Sequence, residues 1–250
     1  MEIIIYGIIF LYGLLIGSFL NVCIYRIPNK ENIVTTRSHC MKCGHKLSWY
    51  ELVPLFSYIA LKGRCKKCGE RISLQYPFVE ALNGLLWVVI FWFCGMQTES
   101  ILYCLLASVL LVISVIDLRT FTIPEGLCYF IFALGLVRII LDYRNWSEYV
   151  IGFFAVSVFL LLLVIATKER AMGGGDVRLM AAAGLLLGWK LIILAFFLGC
   201  IIGSVIHLIR MKVSGESREL AMGPYLSLGI MTAVLFGDRM IGWYLNLLGL

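Results

Sequence analysis

Charge is the first thing this 250-residue chain is short of. Asp, Glu, Lys and Arg make up 14% of it, against about 25% in ordinary soluble domains. Histidine is scarcer still, with only His39, His45 and His207, and no H-E-x-x-H occurs. That excludes the usual two-histidine zinc metalloprotease. The glycine-rich P-loop signature is also absent, so nucleotide hydrolysis on a P-loop is excluded. Disorder needs low hydropathy and high net charge; here the net charge is only +6 and the mean hydropathy is strongly apolar. The alternating segments of about ten residues that build a transmembrane barrel are missing too, because the apolar runs are long and continuous. Nine cysteines in 250 residues are too sparse for a disulfide scaffold.

Apolar residues fill the space. Counting Gly and leaving out Tyr, they reach about 66%, against about 45–50% in a typical domain. No soluble interior hides that much apolar surface, so the chain reads as a polytopic membrane protein. Continuous runs of helical length lie at 3–25, 79–96, 101–118, 123–141, 149–166, 173–189, 191–209 and 222–237. Each approaches the roughly 20 residues that cross a hydrocarbon core. The first run follows Glu2, has no basic segment before it and ends in Arg26-Ile27-Pro28, so it reads as a retained span. The expected architecture is all-α and integral to the membrane, with about eight transmembrane helices. It divides into a first helix (1–25), a polar cytoplasmic loop (26–78) and a seven-helix membrane domain (79–250).

Orientation follows from the Lys/Arg bias. With the N-terminus outside and the spans alternating, 17 basic residues fall inside and four outside (Arg138, Arg144, Lys190 and Arg239). Ten of the inside set lie in the loop; Arg119, Lys168, Arg170, Arg178, Arg210, Lys212 and Arg218 supply the rest. The expectation is N-out and C-out, with the large loop in the cytoplasm. The positive charge then reads as a topology signal and a match for anionic lipid, with no nucleic acid as partner.

The loop holds Cys40-Met41-Lys42-Cys43-Gly44 and then Cys65-Lys66-Lys67-Cys68-Gly69. Two C-x-x-C knuckles near zinc-ribbon spacing supply four thiolates for a closed tetrahedral site. Such a metal is structural, because no coordination position stays open. Zinc is the expected ion, and sequence alone does not separate it from iron in a rubredoxin-like site. A cytosolic setting disfavours disulfides. The remaining cysteines (Cys23, Cys94, Cys104, Cys128 and Cys200) lie singly in apolar runs and read as small core residues.

Ionisable groups at membrane depth are costly and therefore informative. Asp117 closes the run that ends at Ile116, and Asp176 follows Gly173-Gly174-Gly175. From Leu179 to Trp189 is too short to cross, so this helix has to begin near Gly173, with Asp176 in its first turn. Both aspartates then lie at the same cytoplasmic depth. Two carboxylates sharing one proton are the machinery of an aspartic protease. Taken singly, each aspartate is equally at home as a helix cap or as a partner of Arg119 or Arg178. Glu80 and Glu125 lie near span ends as well. Ser204 and His207 share a helix face but lack an oxyanion element, which leaves core packing as the reading there.

These residues carry a resemblance. The run GLLIGSFLNVCIYRIP over 13–28 is similar to the opening signature of bacterial type IV prepilin peptidases. The paired knuckles follow, bracketing Trp49 and Pro54-Leu55-Phe56-Ser57. RISLQYPFVE over 71–80, Ile116-Asp117 with Ile123-Pro124, and Gly173-Gly174-Gly175-Asp176-Val177 as the G-x-G-D motif complete it. Met41, Leu52, Glu125 and Arg178 stand where the family commonly has Pro, Asn, Asp and Lys. The resemblance implies a bifunctional enzyme of the bacterial inner membrane. It would cleave the short basic leader of prepilins or pseudopilins after a glycine, on the cytoplasmic side. S-adenosylmethionine would then serve to N-methylate the new terminus, an activity associated with the 26–78 loop. Carried over residue by residue, the catalytic pair is Asp117 and Asp176, and the zinc ligands are Cys40, Cys43, Cys65 and Cys68.

Two other classes compete: a non-enzymatic scaffold or receptor docking partners through the zinc loop, and a thiol oxidoreductase using the C-x-x-C pairs. A last expectation concerns the shared proton. Asp117 near a helix C-terminus and Asp176 near a helix N-terminus suggest that Asp117 holds it and Asp176 acts as base.

Overall fold

A computed structural model of the chain describes residues 2–35, 37–168, 172–214, 220–247 and 249, without the side chains of Val213 and Ser214. Arg170 and Arg218, two of the basic residues in the orientation argument, lie outside these. Ten α-helices follow in order. They are α1 (Glu2–Arg26), α2 (Phe56–Ala60), α3 (Gln75–Cys94), α4 (Thr98–Thr120), α5 (Glu125–Leu141), α6 (Trp146–Ala155), α7 (Ser157–Thr167), α8 (Gly174–Leu187), α9 (Trp189–Ser214) and α10 (Gly223–Leu247). No strand occurs among the described residues; two isolated bridges, His39 to Lys46 and Arg64 to Arg71, close the knuckles.

Five segments are long and apolar enough to cross a membrane: α1, α3, α4, Tyr143–Thr167 and Trp189–Lys212. Helices also cover the other three expected runs, but α5 and α8 have only 17 and 14 residues. The run expected at 149–166 is interrupted at Val156, between α6 and α7. There the Ser157 hydroxyl bonds back to the Phe153 carbonyl, a competition that bends helices. At the other margin, α3 starts at Gln75 rather than at 79, because Pro77 sits in its first turn, where a missing N–H costs nothing.

The chain forms two compact units, Met1–Val112 and Ile113–Leu250. In the first, α1 packs along α3. Gly13 and Gly17 lie so close to it that a Cβ on either would come within 2.7 Å of Gly84 Cα or Glu80 Cα. Small residues at such crossings let backbones touch where lipid offers no hydrophobic drive. Asn83, fully buried, then stitches three helices. Its Nδ2 donates to the Gly13 carbonyl at 2.7 Å, and its Oδ1 accepts from Ser108 at 2.8 Å. In the second unit α8 is the most buried helix and packs against α5, α6, α7 and α9. Gly152 and Gly184 meet backbone to backbone where α6 crosses it.

Candidate active site and metal centre

The knuckles are built by one local device used twice. The Gly44 N–H donates to the Cys40 carbonyl at 2.9 Å, and the Gly69 N–H to the Cys65 carbonyl at the same distance. Each glycine is left-handed, with φ of 68° and 72°, a conformation that costs other residues energy. The Cys40 N–H reaches the His45 carbonyl and the Cys65 N–H the Glu70 carbonyl, closing each turn around its first cysteine. The fold then faces the turns together. Cys40 and Cys68 sulfurs are 3.8 Å apart, Cys43 and Cys65 3.9 Å, and all four lie within 4.8 Å of one another. A tetrahedron with metal–sulfur bonds of about 2.3 Å has sulfur–sulfur edges of about 3.8 Å. The four cysteines, all free thiols, can therefore hold one metal ion without rearrangement. The backbone N–H groups of Cys43 and Lys42 hold the Cys40 thiol down to about 6, which prepares it as a thiolate.

In the second unit, Asp117 lies in the last turn of α4 and Asp176 in the first turn of α8, with 4% and 8% exposure. Their carboxylates are close enough for each charge to act on the other. α4 ends at Phe121, whose φ of 52° turns the chain away and whose N–H donates to the Asp117 carbonyl at 2.9 Å. Gly173 caps α8, and its carbonyl accepts the Asp176 N–H. Of the three glycines only Gly175 is pressed: a Cβ there would sit 3.0 Å from that of Ile123. This contact sets the Ile123-Pro124 turn against the start of α8.

One contributor went unread in the sequence. The Gly223 N–H, at the first residue of α10, donates to Asp117 Oδ2 at 2.8 Å. A Cβ at 223 would lie 2.7 Å from the same oxygen, so only glycine brings its amide this close. The available signal was Gly223-Pro224 opening the last apolar run. Proline is favoured at the start of a helix, where amides are left without intrahelical partners. This contact also undoes the proton argument. Asp117 meets the N-terminus of α10 as well as the C-terminus of α4, so helix dipoles do not assign the shared proton.

Arg178, a candidate partner of Asp176, instead donates to Glu125 at 2.5 Å, tying the first turn of α8 to that of α5. Glu125 and Arg178 are the two departures from the common family pattern in this unit, and they meet as a pair. Glu80 is buried in the first unit and accepts the Leu55 N–H at 2.9 Å.

Comparisons with known proteins agree across both units. Residues 11–94 match the bacterial peptidase A24 N-terminal domain, and residues 104–208 match the type IV leader peptidase family. A prepilin leader peptidase/N-methyltransferase of Pseudomonas putida is 31% identical, over 95% of this chain and 92% of its own. That of Bacillus subtilis is 32% identical over 96% of this chain and 98% of its own, and that of Aeromonas salmonicida 32% over 96% and 94%. No solved structure matches the chain. Matched over nearly its full length to enzymes of both activities, the chain belongs to the type IV leader peptidase family and is a protease and methyltransferase.

Proposed function

We propose that the chain processes type IV prepilin-like proteins by a two-aspartate mechanism, cleaving the basic leader at the cytoplasmic side of the bacterial inner membrane. The observation that carries this reading is the buried Asp117–Asp176 pair, drawn from two different helix ends and held by the Gly223 amide. With one proton between them, one carboxylate takes a proton from the attacking water. The other donates a hydrogen bond to the scissile carbonyl. Burial keeps bulk water from screening either step.

The same reading takes about eight membrane crossings with the N-terminus outside. The knuckle loop, 26–78, is cytoplasmic and holds a structural zinc on Cys40, Cys43, Cys65 and Cys68, while 79–250 carries the protease. After cleavage the new N-terminal amine is methylated from S-adenosylmethionine. Purified enzyme incubated with a prepilin should release the leader and add 14 Da to the new terminus, read by mass spectrometry, as a methyl replacing hydrogen requires. A cysteine beside Asn145 should label from outside intact cells, and one beside Lys212 should not. A scaffold or a thiol oxidoreductase would keep working with Asn at either aspartate, and reversed labelling would put the protease on the wrong side.

A further inference from the structure

Beside the knuckles, within the first unit, lies a cavity of about 430 Å³, the size of a small-molecule site. The end of α1, the loop and the start of α3 enclose it, and neither aspartate contributes to it. Two of its lining side chains carry buried oxygens with no hydrogen-bond partner: Asn21 Oδ1 and Glu51 Oε1. Both residues are more than nine-tenths buried, with 3% and 7% exposure.

Neither orphan is an accident of side-chain placement. Asn21 Nδ2 faces two carbonyls, those of Tyr76 at 3.1 Å and Gly17 at 3.4 Å, so the amide cannot be turned round and its oxygen is left over. Glu51 spends Oε2 on the Ser48 N–H at 2.8 Å and on His45. The Ser48 amide also holds its carboxyl below the usual range, so the free oxygen belongs to an anion. A buried acceptor without a donor costs about 1–3 kcal/mol, and more for a charged one. Cations around the cavity are already engaged: Arg26 with the Asn32 and Ile33 carbonyls, Lys42 with Glu70, and Lys66 with the Tyr50 hydroxyl. What the cavity offers is therefore acceptors, the Glu51 and Glu80 carboxylates, and the tyrosine rings at 25, 58 and 76. That suits a compact cation that bears N–H and O–H donors together with a flat ring.

We propose that this cavity binds S-adenosylmethionine, with Asn21 Oδ1 and Glu51 Oε1 accepting hydrogen bonds from its donors. The assignment rests on the methyltransferase reading above and names its site. Bound there, the sulfonium supplies a methyl group. Its C–S bond breaks as the N–C bond to the new terminal amine forms, S-adenosylhomocysteine leaves, and the amine's proton passes to solvent.

Titration calorimetry of the full-length enzyme in detergent with S-adenosylhomocysteine tests the site. Glu51→Gln keeps the shape but puts a donor where the acceptor was, and should weaken binding at least about tenfold. Leu61→Trp, which fills the cavity without touching either orphan, should do the same should the glutamine variant misfold. Leader cleavage and bound metal report the fold in each case. Normal S-adenosylhomocysteine affinity in a folded variant of either kind overturns the assignment and leaves the methyltransferase reading intact. Weakened affinity for prepilin alone would give the cavity to the basic leader and overturn the assignment equally. A wild-type enzyme that neither binds the probe nor methylates defeats both.

Discussion

The metal centre and the aspartate pair differ in how far apart along the chain their parts lie. Each knuckle is complete within a turn of a few residues, and the two turns need only to be brought face to face. The aspartate pair has no such local unit. Its carboxylates come from the end of α4 and the start of α8, and its backbone donor lies 106 residues beyond Asp117, at the start of α10. The first arrangement tolerates changes elsewhere in the fold; the second exists only when three helix ends meet. Local motifs make a staple, and long-range packing makes the catalyst.

The largest effects should fall where the difference is sharpest. Asp117→Asn and Asp176→Asn should each lower leader cleavage by about 10³-fold or more, while bound metal stays at the wild-type level. Asn imitates a neutral acid but never a base, so any cleavage that survives in one variant and not the other identifies the base in the second. Full activity in both would end the aspartic mechanism.

Cys→Ser at Cys40, Cys43, Cys65 or Cys68 should take bound zinc from one ion per chain to none, as elemental analysis would show. Metal of this kind contributes on the order of 10 kcal/mol to the order of its loop. Acid should have a related effect. The metal-free Cys40 thiol is deprotonated above about pH 6, so its folded value lies below that of an ordinary thiol. The stabilisation it brings is present above the ordinary thiol range and is lost as pH falls through 6. Zinc affinity measured by chelator competition should fall steeply below that point, and a flat profile down to pH 5 would contradict thiolate ligation.

Gly223→Ala should be milder, lowering cleavage by roughly ten- to a hundredfold through displacement of Asp117, with melting temperature little changed. Unaltered cleavage there would mean that the Gly223 amide is not part of the site. Smallest of all is the Glu125–Arg178 pair, half exposed on both sides. An exposed pair is worth about 0–1 kcal/mol. Arg178→Gln should therefore cost a few-fold in cleavage, and Arg178→Lys combined with Glu125→Asp should restore it. A loss as large as that of an aspartate would move the pair into the catalytic centre.

How much of this was legible differs between the same two regions. C-x-x-C-G twice over announces four ligands and two left-handed turns, because the chemistry is written in adjacent letters. Asp117 and Asp176 stood out by their depth in apolar runs, yet nothing between them records that they meet. Gly223 was silent, since a backbone amide leaves no mark in a sequence beyond the Gly-Pro that frees it. The Glu125–Arg178 contact and the break at Val156 were equally hidden: one joins two helix starts, and the other is a hydroxyl competing for a single carbonyl.

By itself the sequence determined the all-helical class, the position of each apolar helix to within a few residues, and the identity of the ligand set. Those properties follow from composition, periodicity and short-range turn chemistry, which depend only on near neighbours along the chain. Tertiary structure alone decided that a helix N-terminus points its amide at Asp117, that Arg178 serves Glu125 and not Asp176, and that Asn21 and Glu51 open unpartnered oxygens into one cavity. Each of these is a meeting of residues distant along the chain or on different helices and turns, and its geometry is set by how the helices pack.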